Sequence, residues 1–177
     1  MSAPPLATHL MLDALTEFAR VVDALPAPGR GGAIGRLNPG VATLLHITLH
    51  VSYLDQFATG APADPWVVEH EAAGTPPSFD EALEAFRRVH RSGATTLKRL
   101  TAEDLRGVPL PEPLDGLSPF LVGLTLEYMT ARTAAHTFAH AGELAALASL
   151  VRTPDLGLPG AMAATLAATE GTDEAPA

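Results

Sequence analysis

From residue 119 to residue 151 the chain contains no proline after its first position and is built mostly from apolar and small residues. A stretch of that length and composition reads as one long helix. Within it His136 and His140 stand four apart, so their side chains stack on one helix face, with Glu143 close to the same line. Two imidazoles on an otherwise apolar helix are unfavourable unless something satisfies their nitrogens. A metal ion is the commonest such partner, so the question becomes whether the chain supplies further ligands.

The 177 residues, 47% of them hydrophobic, suffice for one compact domain with a core. We expect residues 1–167 to form it and residues 168–177 to be an acidic, disordered tail. The formal net charge is −9, and Lys98 is the only lysine. An acidic chain without a basic cluster argues against nucleic acid and anionic membranes as partners. Cysteine is absent, which removes disulfides, thiolate ligands and a protein thiol nucleophile. The N-terminus lacks a positive leader pattern, and no apolar run is long enough to span a bilayer. The expectation is a soluble cytoplasmic protein.

Leu10, Met11, Ala14, Leu15, Phe18, Val21 and Val22 recur at three- and four-residue steps, predicting a first helix over residues 6–25. Pro26, Pro28 and the glycines at 29, 31, 32 and 35 predict a loop. That glycine cluster follows a helix and has no Gly-Lys-Ser/Thr, so it does not read as a phosphate cradle. Asn38-Pro39 pairs a capping residue with a first-turn proline and opens a second helix to about residue 58. On it His46 falls within the stripe of Ala42, Leu49, Tyr53 and Phe57, with His50 just to one side.

Residues 60–77 are punctuated by proline and contain Trp66, His70 and Glu71. The length suits a crossover to the far side of a bundle, pinned there by Trp66. The His70-Glu71 pair lacks a second histidine at metalloprotease spacing and is set aside. Ser78 with Glu81 makes a capping box for a third helix to about residue 100, whose Arg87, Arg88, His90 and Arg91 read as a solvated side. A short capped turn begins at Thr101. Ser118-Pro119 is expected to launch the fourth helix, ending near residue 152, with one short helix possible over 158–169. No alternating strand pattern appears, so the fold class is all-α: four long helices.

Bundles build sites from side chains that converge from facing helices. His136 and His140 offer two nitrogen donors, and His46 offers a third. Three protein ligands with one open position is the layout of a catalytic zinc-type site. Nitrogen donors suit zinc, nickel, iron or copper and disfavour magnesium or calcium. The competing reading is that these histidines are hydrogen-bonded core residues.

Asn38-Pro39 through Leu44-Leu45-His46, the element Leu100-Thr101-Ala102-Glu103-Asp104-Leu105, and His136-x-x-x-His140-Ala141-Gly142-Glu143-Leu144 together resemble the DinB/YfiT-like family of metalloenzymes. That family includes mycothiol-dependent maleylpyruvate isomerase and bacillithiol transferases. The resemblance implies an up-down-down-up four-helix bundle with a long crossover between helices 2 and 3, and frequent homodimers. It also implies a divalent metal (zinc, nickel or iron) on His46, His136 and His140, with a low-molecular-weight thiol as cosubstrate against a small electrophile.

Within that picture His50, Arg132 and Glu143 are the candidate catalytic groups. His50 would be a rim acid or base, or simply a polar residue beside the stripe. Arg132 reads first as a salt-bridge partner of Glu143 or Glu127 and second as a clamp for an anionic substrate or thiol carboxylate. Arg132 and Tyr53 are the candidates for cofactor contact, Tyr53 otherwise reading as core with Phe57, Phe138 and Met129. Many family members carry glutamine where this chain has Glu143. That leaves Glu143 as a fourth ligand, an acceptor for an imidazole N–H, or a partner of Arg132. The rival functional classes are a metal-dependent hydrolase, a non-catalytic metal or ligand binder, and a plain association module.

Overall fold

The structure, a computed structural model, describes residues 5–112 and 119–151. The expected short helix over 158–169 and the acidic tail lie outside the described residues. Four long helices dominate: α1 Leu6–Ala24, α3 Gly40–Thr59, α5 Phe79–Leu97 and α7 Leu126–Leu150, with short helices α2 Ala27–Gly31, α4 Pro65–Ala73 and α6 Ala102–Arg106 between them. Among the described residues there is no strand, only an isolated bridge between Ile34 and Leu37. No helix there is long and apolar enough to cross a membrane.

The apolar periodicity explains the packing. Met11, Leu15, Phe18, Val21 and Val22 of α1 are buried, and α1 packs mainly against α7, while α3 packs against both α5 and α7. The result is an all-α bundle in which α3 and α7 are neighbours. Its core joins Leu44, Ile47 and Val51 to Phe86, Val89, Leu144 and Leu147, with Phe18 and Phe86 meeting edge to face at 5.5 Å.

Helix α7 also buries Thr130, Thr133 and Thr137. Their hydroxyls donate to the carbonyls of Leu126, Met129 and Thr133 at 2.7–2.8 Å. Back-bonding of this kind lets a helix present polar residues to a core without orphaned donors.

Several boundaries differ from expectation. The glycine-rich segment forms the short helix α2, because Pro26 and Pro28 pre-set its first turn. Helix α3 starts at Gly40 with Pro39 in the capping position and no side-chain cap, since Asn38 instead donates to Glu143 at 3.4 Å. Ser118-Pro119 was expected to launch the last helix. Pro119–Leu121 is a single 3-10 turn, and Gly123 at φ 77° redirects the chain, a conformation glycine adopts without a Cβ penalty. The helix begins only at Leu126, capped by the Thr125 hydroxyl, which accepts from the Tyr128 N–H.

The connection expected to cross to the far side of the bundle joins α3 to α5, two helices that pack against each other, and it is more ordered than a spacer. Its helix α4 is capped by Asp64, whose carboxylate accepts from the Trp66 and Val67 N–H groups. The same carboxylate accepts from Arg88 of α5 at 2.9 Å, and the Asp64 N–H donates to Ser52 of α3 at 2.7 Å. Val67 is fully buried. The capping boxes Ser78/Glu81 and Thr101/Asp104 both form, each acidic side chain being held below its ordinary pKa by hydrogen bonds from its partner.

Gly40 fixes how closely α2 approaches the start of α3. A Cβ there would run into the Leu25 side chain and come within 2.7 Å of the Gly29 carbonyl oxygen. Gly142, on α7, faces open space. In urea denaturation Gly40→Ala should therefore lose about 1–3 kcal/mol by overpacking, while Gly142→Ala should gain about 0.5–1 kcal/mol from helix propensity. Two substitutions of equal effect would contradict this packing.

Candidate metal centre

Two pairs of histidines at four-residue spacing face each other across the α3–α7 contact. His46 and His50 come from α3, His136 and His140 from α7. The His46 Nε2 lies 3.2 Å from the His136 Nε2, and the His140 Nε2 lies 2.9 Å from the same atom. His50 joins them, its ring centroid 4.6 Å from that of His46 and 4.4 Å from that of His136. One ligand nitrogen from each of His46, His50 and His136 lies within 4.8 Å of the others.

The outer nitrogens of His140 and His46 face carboxylates. The Nδ1–H of His140 donates to Glu143 Oε2 at 2.7 Å, and that of His46 donates to Glu71 Oε1 at 3.2 Å. An ionised carboxylate can only accept, so each Nδ1 carries a hydrogen, and in the neutral ring the Nε2 presents its lone pair inward. Both lone pairs point at the His136 Nε2, which has at most one hydrogen to give. With neutral rings, at least one of these short contacts sets lone pair against lone pair unless a positive charge, a metal ion or an added proton, lies between them.

The two separations from the His136 Nε2 are those expected between ligands of one ion. Metal–imidazole bonds of about 2.0–2.1 Å place adjacent ligand nitrogens about 2.9–3.4 Å apart at octahedral to tetrahedral angles. A carboxylate on the remote nitrogen of a ligating imidazole is the usual device for orienting it and raising its basicity.

Burial, followed by the neighbouring imidazoles and Arg132, pushes His50 down to about 3 and His136 down to about 4. Both rings are therefore neutral near pH 7, the state in which imidazole ligates a metal.

Each residue singled out in the sequence has a definite place. His46, His136 and His140 share the close Nε2 contacts, and His50 belongs to the cluster rather than to the surface. Glu143 is the acceptor for the His140 N–H and for Asn38. Arg132 was expected to pair with Glu143 or Glu127; among the described residues it makes no ion pair. Its guanidinium lies instead over the Phe120 ring, 4.5 Å from the centroid. Tyr53 stacks loosely on Phe57 at 6.4 Å.

Glu71 is the residue that sequence reasoning missed. It was set aside with His70 for lack of a helical His-x-x-x-His partner, whereas it works across the crossover on a histidine of another helix. No local spacing signals that. His70 itself stacks on Trp66 at 3.9 Å, and its Nδ1 lies 2.8 Å from the Trp66 carbonyl oxygen.

Two cavities flank the cluster. One, of about 370 Å³, is lined by Asn38, Thr43, His46, His70, Glu71 and His140, among others. The other, of about 200 Å³, includes His50, Tyr53 and Arg132 in its lining.

Fold and site define a class: an all-α bundle whose neighbouring helices bring together histidines able to hold a metal ion. Residues 8–144 match the DinB superfamily, and the chain belongs to that family. No curated protein and no solved structure matches the chain.

Because His50 and His136 are held below the ordinary value of 6.5, the unfolded chain takes up protons at these positions as the pH falls through 6.5 while the folded chain does not. Their contribution to stability is therefore intact above 6.5 and is lost progressively toward pH 4. The urea midpoint of metal-stripped protein should fall between pH 7 and 4.5, and His50→Asn should flatten that fall. A profile that His50→Asn leaves unchanged would contradict the buried, neutral placement of His50.

Proposed function

We propose that this protein is a divalent-metal-dependent enzyme that uses a low-molecular-weight thiol to attack a small electrophile, in an S-transfer or isomerisation reaction. The observation that carries the reading is that the Nε2 atoms of His46 and His140 each approach that of His136, with His50 close enough to offer a further nitrogen and the outer nitrogens of His46 and His140 facing carboxylates. Membership of the DinB superfamily supports it. Zinc, nickel and iron fit the all-imidazole donor set. When bound, such an ion supplies the positive charge that keeps a coordinating thiol in its thiolate form.

The protein groups have separable tasks. His46, His136 and His140 hold the ion. Glu143 and Glu71 keep the Nδ1 hydrogens of His140 and His46 in place, so that the Nε2 lone pairs stay aimed inward. Asn38, donating to Glu143, steadies that carboxylate from the start of α3. His50, with a pKa near 3, is too weakly basic to carry a proton at neutral pH. It serves as a further nitrogen lone pair within the cluster. The larger cavity, bordered by His46 and His140, gives the thiol access.

Metal analysis after dialysis against zinc, nickel or iron should find one ion per chain, and His136→Ala should abolish it. Glu143→Ala or Glu71→Ala should weaken metal binding by about 10–100-fold while leaving the fold intact. A protein that takes up no ion, or an His136→Ala variant that binds metal as before, would defeat the assignment.

Turnover is a separate question. Conjugation of thiols to electrophiles by the loaded protein should disappear with a chelator and return with added metal. Thiol-independent, chelator-sensitive hydrolysis would instead point to water as the nucleophile. Bound metal without either activity would leave a binding protein.

A further inference from the structure

The two cavities beside the histidines differ in chemistry. The larger is bordered by hydrogen-bonding groups, among them Asn38, Thr43, His70 and Glu71. The smaller is walled by Leu49, Tyr53, Phe57, Leu121 and Met129, and among the described residues Arg132 is the one charged residue in its lining.

Arg132 is an unusual occupant of such a wall. One face of its guanidinium is covered by the Phe120 ring at 4.5 Å, which satisfies the π-face but none of the five N–H donors at the edges. Among the described residues no protein acceptor takes those donors. The residue lies one helical turn before His136, so the cavity it lines adjoins the cluster through His50.

We propose that this smaller cavity binds a small apolar carboxylic acid, its carboxylate on the Arg132 guanidinium and its hydrocarbon body among the side chains of Leu49, Phe57 and Met129. The proposal deepens the proposed function by giving the electrophilic substrate a class. It rests on that reading only for the chemistry after binding. A carboxylate matches the planar guanidinium fork with two parallel hydrogen bonds, and apolar walls strengthen such a pair relative to water. The charge argument favours a monoanion: a phosphate ester would bring about two charges into an apolar cavity that offers one cation. The chain as a whole carries −9, so anion capture here depends on local geometry.

The test compares 3-phenylpropanoate with its neutral amide, 3-phenylpropanamide, by calorimetry on the full chain, both zinc-loaded and metal-stripped. The wild type should bind the acid at least about tenfold tighter than the amide in both forms. Arg132→Met keeps an apolar stem against Phe120 and should bring the acid down to the level of the amide while leaving zinc stoichiometry unchanged. Arg132→Lys, which keeps the charge but loses the fork, should retain part of the preference and serves if the methionine variant does not fold.

Equal affinity for acid and amide in the wild type, binding of neither, or a preference that survives Arg132→Met would overturn the proposal. A preference present only with zinc and untouched by Arg132→Met would assign the carboxylate to the ion and overturn it equally. Should the protein bind no metal yet retain the Arg132-dependent preference, the proposed function fails and this inference stands.

Discussion

Imidazole nitrogens brought edge to edge need a hydrogen or a positive charge between them, and this bundle brings two Nε2 atoms up to a third. The His136 Nε2 has the Nε2 atoms of His140 and His46 at 2.9 and 3.2 Å. The opposite nitrogen of each of those rings faces a carboxylate, Glu143 for His140 and Glu71 for His46. The arrangement draws on four places in the chain: His46 on α3, Glu71 on α4, the histidines and Glu143 on α7, and Asn38 just before α3. Keeping α3 beside α7 is thus the task on which the site depends. The buried core side chains, the back-bonded threonines of α7 and the tight approach of α2 at Gly40 all serve it.

The crossover gains a role from the same constraint. A connection between α3 and α5 needs only to span a distance, yet this one folds into α4 and is fastened at both ends. Asp64 binds its first turn to Arg88 and Ser52, and Glu71 in its last turn reaches His46. A shift of α4 would therefore be felt first as a reorientation of the His46 ring. The helix also borders the larger cavity, which places the polar approach to the cluster on the crossover side and the apolar, arginine-bearing cavity at His50.

Much of this was legible in the sequence wherever the signal was local and repetitive. The four long helices follow from apolar periodicity, the Ser78/Glu81 capping box and the capped turn at Thr101 from local spacing, and His136/His140 from their i, i+4 register on a proline-free run. The misreadings came where one side chain had two possible partners. Asn38 has the profile of a cap but reaches Glu143. Pro119 has the profile of a first-turn proline, but Gly123 turns the chain before a helix can propagate. Arg132 has carboxylates on its own helix and instead lies over Phe120. Glu71 is the clearest case, because its partner is 25 residues away on another helix and no periodicity connects them. His50 lay just off the predicted stripe, and the packing of α3 against α7 brings its ring to His136.

The central claim is that the converging imidazoles share one ion. X-ray absorption at the zinc edge of the loaded protein tests it most directly. The account predicts about three nitrogen scatterers at about 2.0–2.1 Å, with the outer-shell pattern of imidazole rings. A shell of oxygen alone, or of a single imidazole, would contradict it.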